Sequence, residues 1–151
     1  MGDLVFKLTQ KAYSITTAES CTGGLIAAAI TDISGASSVF NQGFITYSNT
    51  AKHDVLNVQE TTLDTYGAVS AECAKEMAIG ALTAARADIA ISVTGIAGPG
   101  GGSAEKPVGL VYIGIATQGG VSVTKHHFDG DRQSVREQTV QEALRLAELA
   151  I

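Results

Sequence analysis

The sequence predicts a three-layer α/β/α sandwich on a mixed, mostly parallel sheet, with an antiparallel hairpin in its C-terminal half. Three observations carry this. Compact β-rich runs at residues 13–18 and 88–93 are separated by helical patterns, the arrangement in which strands are covered on both faces. Behind Ser70, the residues Ala74, Met77, Ala78, Ala81, Leu82 and Ala85 recur at three- and four-residue intervals, which lays one apolar stripe along a helix. Residues 108–116 and 121–128 are two β-rich segments joined by Thr-Gln-Gly-Gly, the pattern of a hairpin.

In chain order, residues 13–18 (YSITTA) are rich in β-branched side chains and lead into Glu-Ser-Cys-Thr-Gly-Gly, then into the small apolar run 25–30. That reads as strand, glycine turn, helix. Residues 42–47 (QGFITY) form a second short strand. Asn49 or Thr50 is the expected N-cap of a turn or helix carrying Lys52 and His53. Ser70 caps the alanine-rich helix. Residues 88–93 (DIAISV) form a buried strand that runs into the loop 94–103 (TGIAGPGGGS), which is too glycine-rich to be helical. The hairpin follows, and a helix over 133–149 closes the chain. No linker composition or internal repeat interrupts residues 1–151, so one domain is expected.

The bulk composition narrows the function classes. A 151-residue chain with 45% hydrophobic and 17% charged residues is globular rather than disordered. Ten basic against fifteen acidic residues give a formal charge of −5, which argues against a nucleic-acid groove. Apolar stretches such as 108–116 fall well short of the roughly 18 residues needed to cross a bilayer, and the amino terminus lacks the apolar core of a signal peptide. The expectation is a cytoplasmic protein with neither nucleic acid nor membrane as partner. The exposed apolar part of an alanine-rich helix suggests a homodimer. Cys21 and Cys73 show no metal-binding spacing and read as reduced thiols, with no metal expected.

Three loops lie at strand ends, where chemistry collects in such sheets: 18–24, 47–52 and 94–103. Ser20 follows a strand and precedes a helix, so its hydroxyl can sit beside free backbone N–H groups able to hold an oxyanion. That position suits a nucleophile, and it equally suits a helix cap. Cys21 is a rival, since a thiol near a helix N-terminus ionises readily, and Ser48 is another. Glu19 either orients a partner or faces solvent. The base could be His53, His126, His127 or Lys52; the lysine needs burial or neighbouring positive charge to be neutral. Tyr47, five residues before Lys52, could bring a phenol to the same pocket. The glycine loop after Val93 suits an anion, but Gly101 stands where a P-loop requires lysine. No dinucleotide fingerprint follows the first strand, so no redox nucleotide or other cofactor is expected. Ser103 and Lys106 match an SxxK pattern, yet Pro107 and the preceding glycines argue against the helix it needs. Arg132 could clamp a phosphate or carboxylate.

Taken jointly, the segments 17–24 (TAESCTGG), 46–52 (TYSNTAK), 67–70 (GAVS), 94–99 (TGIAGP) and 105–109 (EKPVG) resemble the CinA carboxy-terminal domain family. The likeness runs over nearly the whole chain in the same order. The resemblance implies hydrolysis of the carboxamide of nicotinamide mononucleotide, giving nicotinic acid mononucleotide and ammonia without metal or cofactor. Carried onto this chain, it makes Ser20 the nucleophile, Lys52 the general base and Tyr47 a hydroxyl that assists proton transfer or positions the amide. Glu19, Cys21, Thr22, Gly23, Gly24, Thr94, Gly95 and Arg132 then make up the substrate-binding set, with N–H groups around Cys21 to Gly24 holding the oxyanion. Some family members carry an amino-terminal nucleotide-processing domain, so this chain looks like the stand-alone form. A helix before the first strand is expected only in reduced form, over residues 2–12. Two other functions fit the residues: a nucleotide-binding module without turnover, and an amidase or esterase for another small substrate.

Overall fold

Apolar, β-branched runs without a polar break must be covered on both sides, and in the computed structural model, which describes residues 2–151, they are. The chain runs α1 (Gly2–Lys11), β1 (Ile15–Glu19), α2 (Leu25–Thr31), a 3-10 turn (Ala36–Ser38) and β2 (Phe44–Ile45). It continues through α3 (Asn49–Leu56), α4 (Glu60–Tyr66), α5 (Ala71–Ala85), β3 (Ile89–Gly95), β4 (Leu110–Thr117), β5 (Gly120–His127) and α6 (Arg132–Leu149). The sheet order is β2-β1-β3-β4-β5. β1 is parallel to β2 and β3, whereas β4 is antiparallel to β3 and β5, so β4 alone runs against the others.

Alternation along the strands sorts the side chains by size. Ile15, Ile89, Ile91, Val93, Val111, Ile113 and Ile115 pack with Leu4, Leu8, Ile26, Ile30, Val135 and Leu144 from α1, α2 and α6. The opposite face presents Ala18, Ala90 and Ala116 to Leu56 of α3 and to Cys73, Met77, Ala78 and Ala81 of α5. Small residues let α5 settle close to the sheet. Ser92 donates to the Ala74 carbonyl at 2.6 Å, and a side chain at Gly114 would meet that carbonyl at 3.0 Å. On its other flank α5 is tight against α3, because a Cβ at Gly80 would collide with the Leu56 carbonyl.

The hairpin, the α5 stripe with Ser70 as its cap, and the closing helix stand where the sequence puts them. Other details differ. The second strand is two residues long rather than six, and the α3 cap is Ser48, whose hydroxyl accepts from Ala51 N–H, rather than Asn49 or Thr50. α4 has no counterpart in the sequence reading. Its start is held from outside, by Glu76 of α5, which accepts from Gln59 N–H at 2.8 Å and the Thr62 hydroxyl at 2.6 Å. In α5, Ala74, Ala78 and Ala81 face inward, and Ile79 is an exposed large apolar side chain of that helix. Among the described residues no helix is long and apolar enough to cross a membrane.

The α3–α5 contact makes a prediction of unusual sign. Replacing a glycine in a helix interior by alanine ordinarily stabilises by about 0.5–1 kcal/mol. Gly80→Ala is expected to destabilise instead, by about 1–3 kcal/mol, because the new methyl meets backbone rather than a movable side chain. Urea unfolding of the two proteins checks it; a rise in the midpoint would contradict the close approach.

Candidate active site

The β1 chain connects to the β2 side of the sheet and β3 leaves on the other, so their C-terminal ends flank a switch point where open α/β sheets bind ligands. Two consecutive residues at the end of β1 point to opposite faces. Glu19, fully buried, turns towards α2, where its carboxylate accepts from the Thr22 hydroxyl at 2.6 Å and from Ile26 and Ala27 N–H at 2.8 and 3.0 Å. The N-cap position itself is Gly24, which has no side chain to offer, so the glutamate satisfies the helix start in its place. Glu19 therefore neither faces solvent nor is free to meet a ligand; it fixes the turn. That turn needs its glycines: Gly23 and Gly24 have φ of 58° and 106°, a region in which side chains are strained.

Ser20 turns to the other face, towards α3. Its N–H donates to Val93 O at 3.2 Å, tying the loop to β3. Its hydroxyl lies 3.0 Å from Lys52 Nζ. Lys52 is 1% exposed and also donates to the carbonyls of Thr46 at 2.9 Å and Tyr47 at 3.1 Å. All three partners are neutral oxygens. Burial without a carboxylate partner penalises the ammonium, so the Lys52 pKa is pushed below that of a free lysine, chiefly by desolvation. A neutral amine has two N–H bonds and one lone pair. The two carbonyls take the N–H bonds, and the lone pair is left facing the serine.

The competing nucleophiles lack this company. Burial pushes the Cys21 thiol up to about 11, the wrong direction for a thiolate. The Ser48 hydroxyl is spent on capping α3. His53 has its Nδ1 on the Val58 carbonyl at 2.7 Å, and His126 stacks on Phe128 out on β5. Ser103 and Lys106 sit in a turn rather than on a helix. In the 20–24 turn, Gly23 N–H is spent on Ser20 O. The N–H groups of Cys21, Thr22 and Gly24 have no acceptor among the described residues, which narrows the expected oxyanion donors to these three.

Tyr47 and Arg132 meet. The Tyr47 phenol accepts from Arg132 at 3.2 Å, and Arg132 also donates to Gly98 O at 2.9 Å, linking the residues after β2 to the glycine loop. Arg132 lines a cleft of about 700 Å³ with Ala97, Pro99, Val108, Gln133 and Arg136, within the size range of small-ligand sites. Arg136 was not singled out by sequence. It donates to the carbonyls of Cys21 at 3.0 Å and Thr22 at 3.3 Å, so one guanidinium spans the cleft and the Ser20 turn. A smaller hollow of about 270 Å³, lined by His53, Asp54, Glu60 and Asp64, is acidic and unsuited to an anion. Thr94 and Gly95 end β3 nearby, with the Thr94 hydroxyl donated to Ala68 O at 2.8 Å and Gly95 packed against Val111 and Leu110. No His, Cys, Asp and Glu cluster that could hold a metal ion is found among the described residues.

Comparison with known proteins places the chain in a family. Residues 2–151 match the model of the CinA C-terminal domain. The chain is 57% identical over 141 residues to the nicotinamide-nucleotide amidohydrolase PncC of Enterobacter agglomerans, covering 93% of this chain and 86% of that protein. It is 54% identical to a putative competence-damage inducible protein of Thermoanaerobacter sp. (strain X514), of which it spans 35%. Among solved structures, the competence/damage inducible protein CihA from Agrobacterium tumefaciens superposes with a TM-score of 0.93 at 48% identity, over 96% of this chain and 92% of that one. A family match over residues 2–151, with the fold and relatives to go with it, leaves one conclusion: this chain belongs to the CinA C-terminal domain family.

Proposed function

We propose that this chain hydrolyses the carboxamide of nicotinamide mononucleotide to nicotinic acid mononucleotide and ammonia, with Ser20 as nucleophile and Lys52 as general base. The observation that carries the reading is the buried Lys52 amine, 3.0 Å from Ser20 Oγ and held by two backbone carbonyls. The substrate comes from the name borne by relatives such as the Enterobacter agglomerans protein.

The reaction follows ordinary acyl transfer. Neutral Lys52 accepts the Ser20 proton as Oγ attacks the amide carbon. The N–H groups of Cys21, Thr22 and Gly24 hold the developing oxyanion. Lys52 returns the proton to the leaving nitrogen, ammonia departs, and water cleaves the ester. Arg132 and Arg136 take the phosphate in the cleft. Tyr47 gives its carbonyl to Lys52 and its phenol to Arg132, so it positions base and nucleotide rather than carrying the proton. Glu19 acts through the turn it caps.

Ammonia release from nicotinamide mononucleotide tests the reading directly. Ser20→Ala and Lys52→Met, each verified as folded, are expected to lower kcat by about three orders of magnitude or more; a folded wild type that binds the nucleotide and releases no ammonia would return the chain to a binding module. The pH dependence has a defined sign. Activity needs the neutral amine, and a depressed pKa moves the rising limb down in pH, so kcat/KM should reach its plateau below the free-lysine value of about 10.4. A profile still climbing at that pH would remove Lys52 as the base. Arg132→Gln should lower kcat/KM for the mononucleotide by about 10–100-fold, the loss of one charge-assisted contact, and leave the riboside unaffected. Equal losses on both would place the phosphate elsewhere.

A further inference from the structure

Among the described residues two buried side-chain hydroxyls have no hydrogen-bond partner, those of Thr17 and Thr46. Buried hydroxyls are nearly always paired, and each exception calls for a reason. Thr17 lies on the α2 face, beside Gly43 and away from Lys52. Thr46 is different. Its N–H donates to Glu19 O at 2.9 Å, continuing the parallel register that sets Ala18 beside Phe44 and Glu19 beside Ile45. Phe44 packs on the α5 side of the sheet, so two residues on the Thr46 side chain points to that same side, next to Ser20 and towards α3. Its carbonyl is one of the two that hold Lys52 Nζ, and the residue is 1% exposed. A buried hydroxyl with donor and acceptor unspent thus belongs to the residue whose carbonyl holds the amine, on the Ser20 side of the sheet.

The Ser20–Lys52 reading above leaves a matching need. In acylation the leaving nitrogen is covalently attached to the substrate and arrives already placed against Lys52. In deacylation the attacking water is free, and Lys52 alone gives it only one partner. Ammonia and water are alike in size and bonding, so the departing ammonia vacates a place of the right dimensions next to Nζ. Resting on that reading, we propose that Thr46 is a positioning residue for deacylation, its hydroxyl holding the hydrolytic water against Lys52. The water donates one hydrogen to the Lys52 lone pair and the other to Thr46 Oγ1, which leaves an oxygen lone pair for the acyl carbon. As the new C–O bond forms, the carbonyl electrons move to the oxyanion and the first hydrogen passes to Lys52 as a proton. Collapse breaks the Oγ–C bond, and Ser20 Oγ recovers the proton from the Lys52 ammonium. One ester and one water become one carboxylic acid and one serine hydroxyl, with Lys52 neutral again.

Thr46→Val keeps the shape and the backbone carbonyl and removes only the hydroxyl; Thr46→Ser keeps the hydroxyl. The measurement is rapid-quench ammonia release from nicotinamide mononucleotide, with intact-protein mass after quenching. Wild type should release ammonia linearly. Thr46→Val should show a burst of about one ammonia per folded site and then a steady state slower by about tenfold or more, with a mass increase equal to the acyl group that Ser20→Ala abolishes. Thr46→Ser should restore linear release. The melting temperature of Thr46→Val should hold or rise, since an unpaired buried hydroxyl has gone. Loss of fold lowers burst and steady state together and does not imitate this pattern. Thr46→Val turning over at the wild-type rate, or slowed in the first turnover with no burst, would overturn the deacylation role. A wild type without any ammonia release would overturn the amidase reading itself, and this inference with it.

Discussion

A lysine amine sealed in protein with only neutral oxygens as hydrogen-bond partners is the constraint on which the site depends. Desolvation makes the charged form expensive, and a nearby carboxylate would cancel the effect by stabilising the ammonium. The Lys52 surroundings supply carbonyls of Thr46 and Tyr47 and the hydroxyl of Ser20. Holding them there is the work of the scaffold. The two carbonyls sit just past a strand of two residues, fixed to β1 through Thr46 N–H on Glu19 O. The α3 helix is pressed inward by its contact with Gly80 of α5, and α5 approaches the sheet because alanine and glycine face each other across that layer.

The second dependence is the alternation at the end of β1. Because neighbouring strand residues point to opposite faces, one dipeptide can anchor a helix on one side and offer a nucleophile on the other. Glu19 takes the α2 start and Ser20 takes the amine. The turn between them and α2 is then latched from α6 by Arg136 on the carbonyls of Cys21 and Thr22. A site whose turn is fixed at both ends has little reorganisation left for the reaction step.

The parts of this arrangement that were legible in the sequence are those written in local pattern. The strand, glycine turn and helix around Ser20 could be read from 13–30, and the α5 stripe and the hairpin from their periodicity and turn residues. Lys52 and Arg132 could be named as candidates, but their surroundings could not. What stayed hidden is tertiary. The α4 sequence ETTLDTY has no apolar stripe, and its start is stabilised by Glu76 from another helix. Glu19 looks like a surface residue until the helix with no capping side chain is seen above it. Arg136 has the spacing of an ordinary helix-surface arginine, and only the packing of α6 against the Ser20 turn gives it partners. Thr46 reads as one more β-former, and its lack of a partner is a property of the fold.

Two routes can depress a lysine pKa, burial and a neighbouring positive charge, and the choice between them matters for a substrate that carries a phosphate. Arginines close to Lys52 would lower its pKa while the site was empty. An arriving phosphate would neutralise them, and the base would regain its proton at the moment it was needed neutral. Here the shift comes chiefly from desolvation, and no arginine contributes to it. The guanidinium of Arg132 is held out on Gly98 and Tyr47, and that of Arg136 on the carbonyls behind the nucleophile. In the proposed reaction, anion binding and base strength are therefore set by different parts of the molecule.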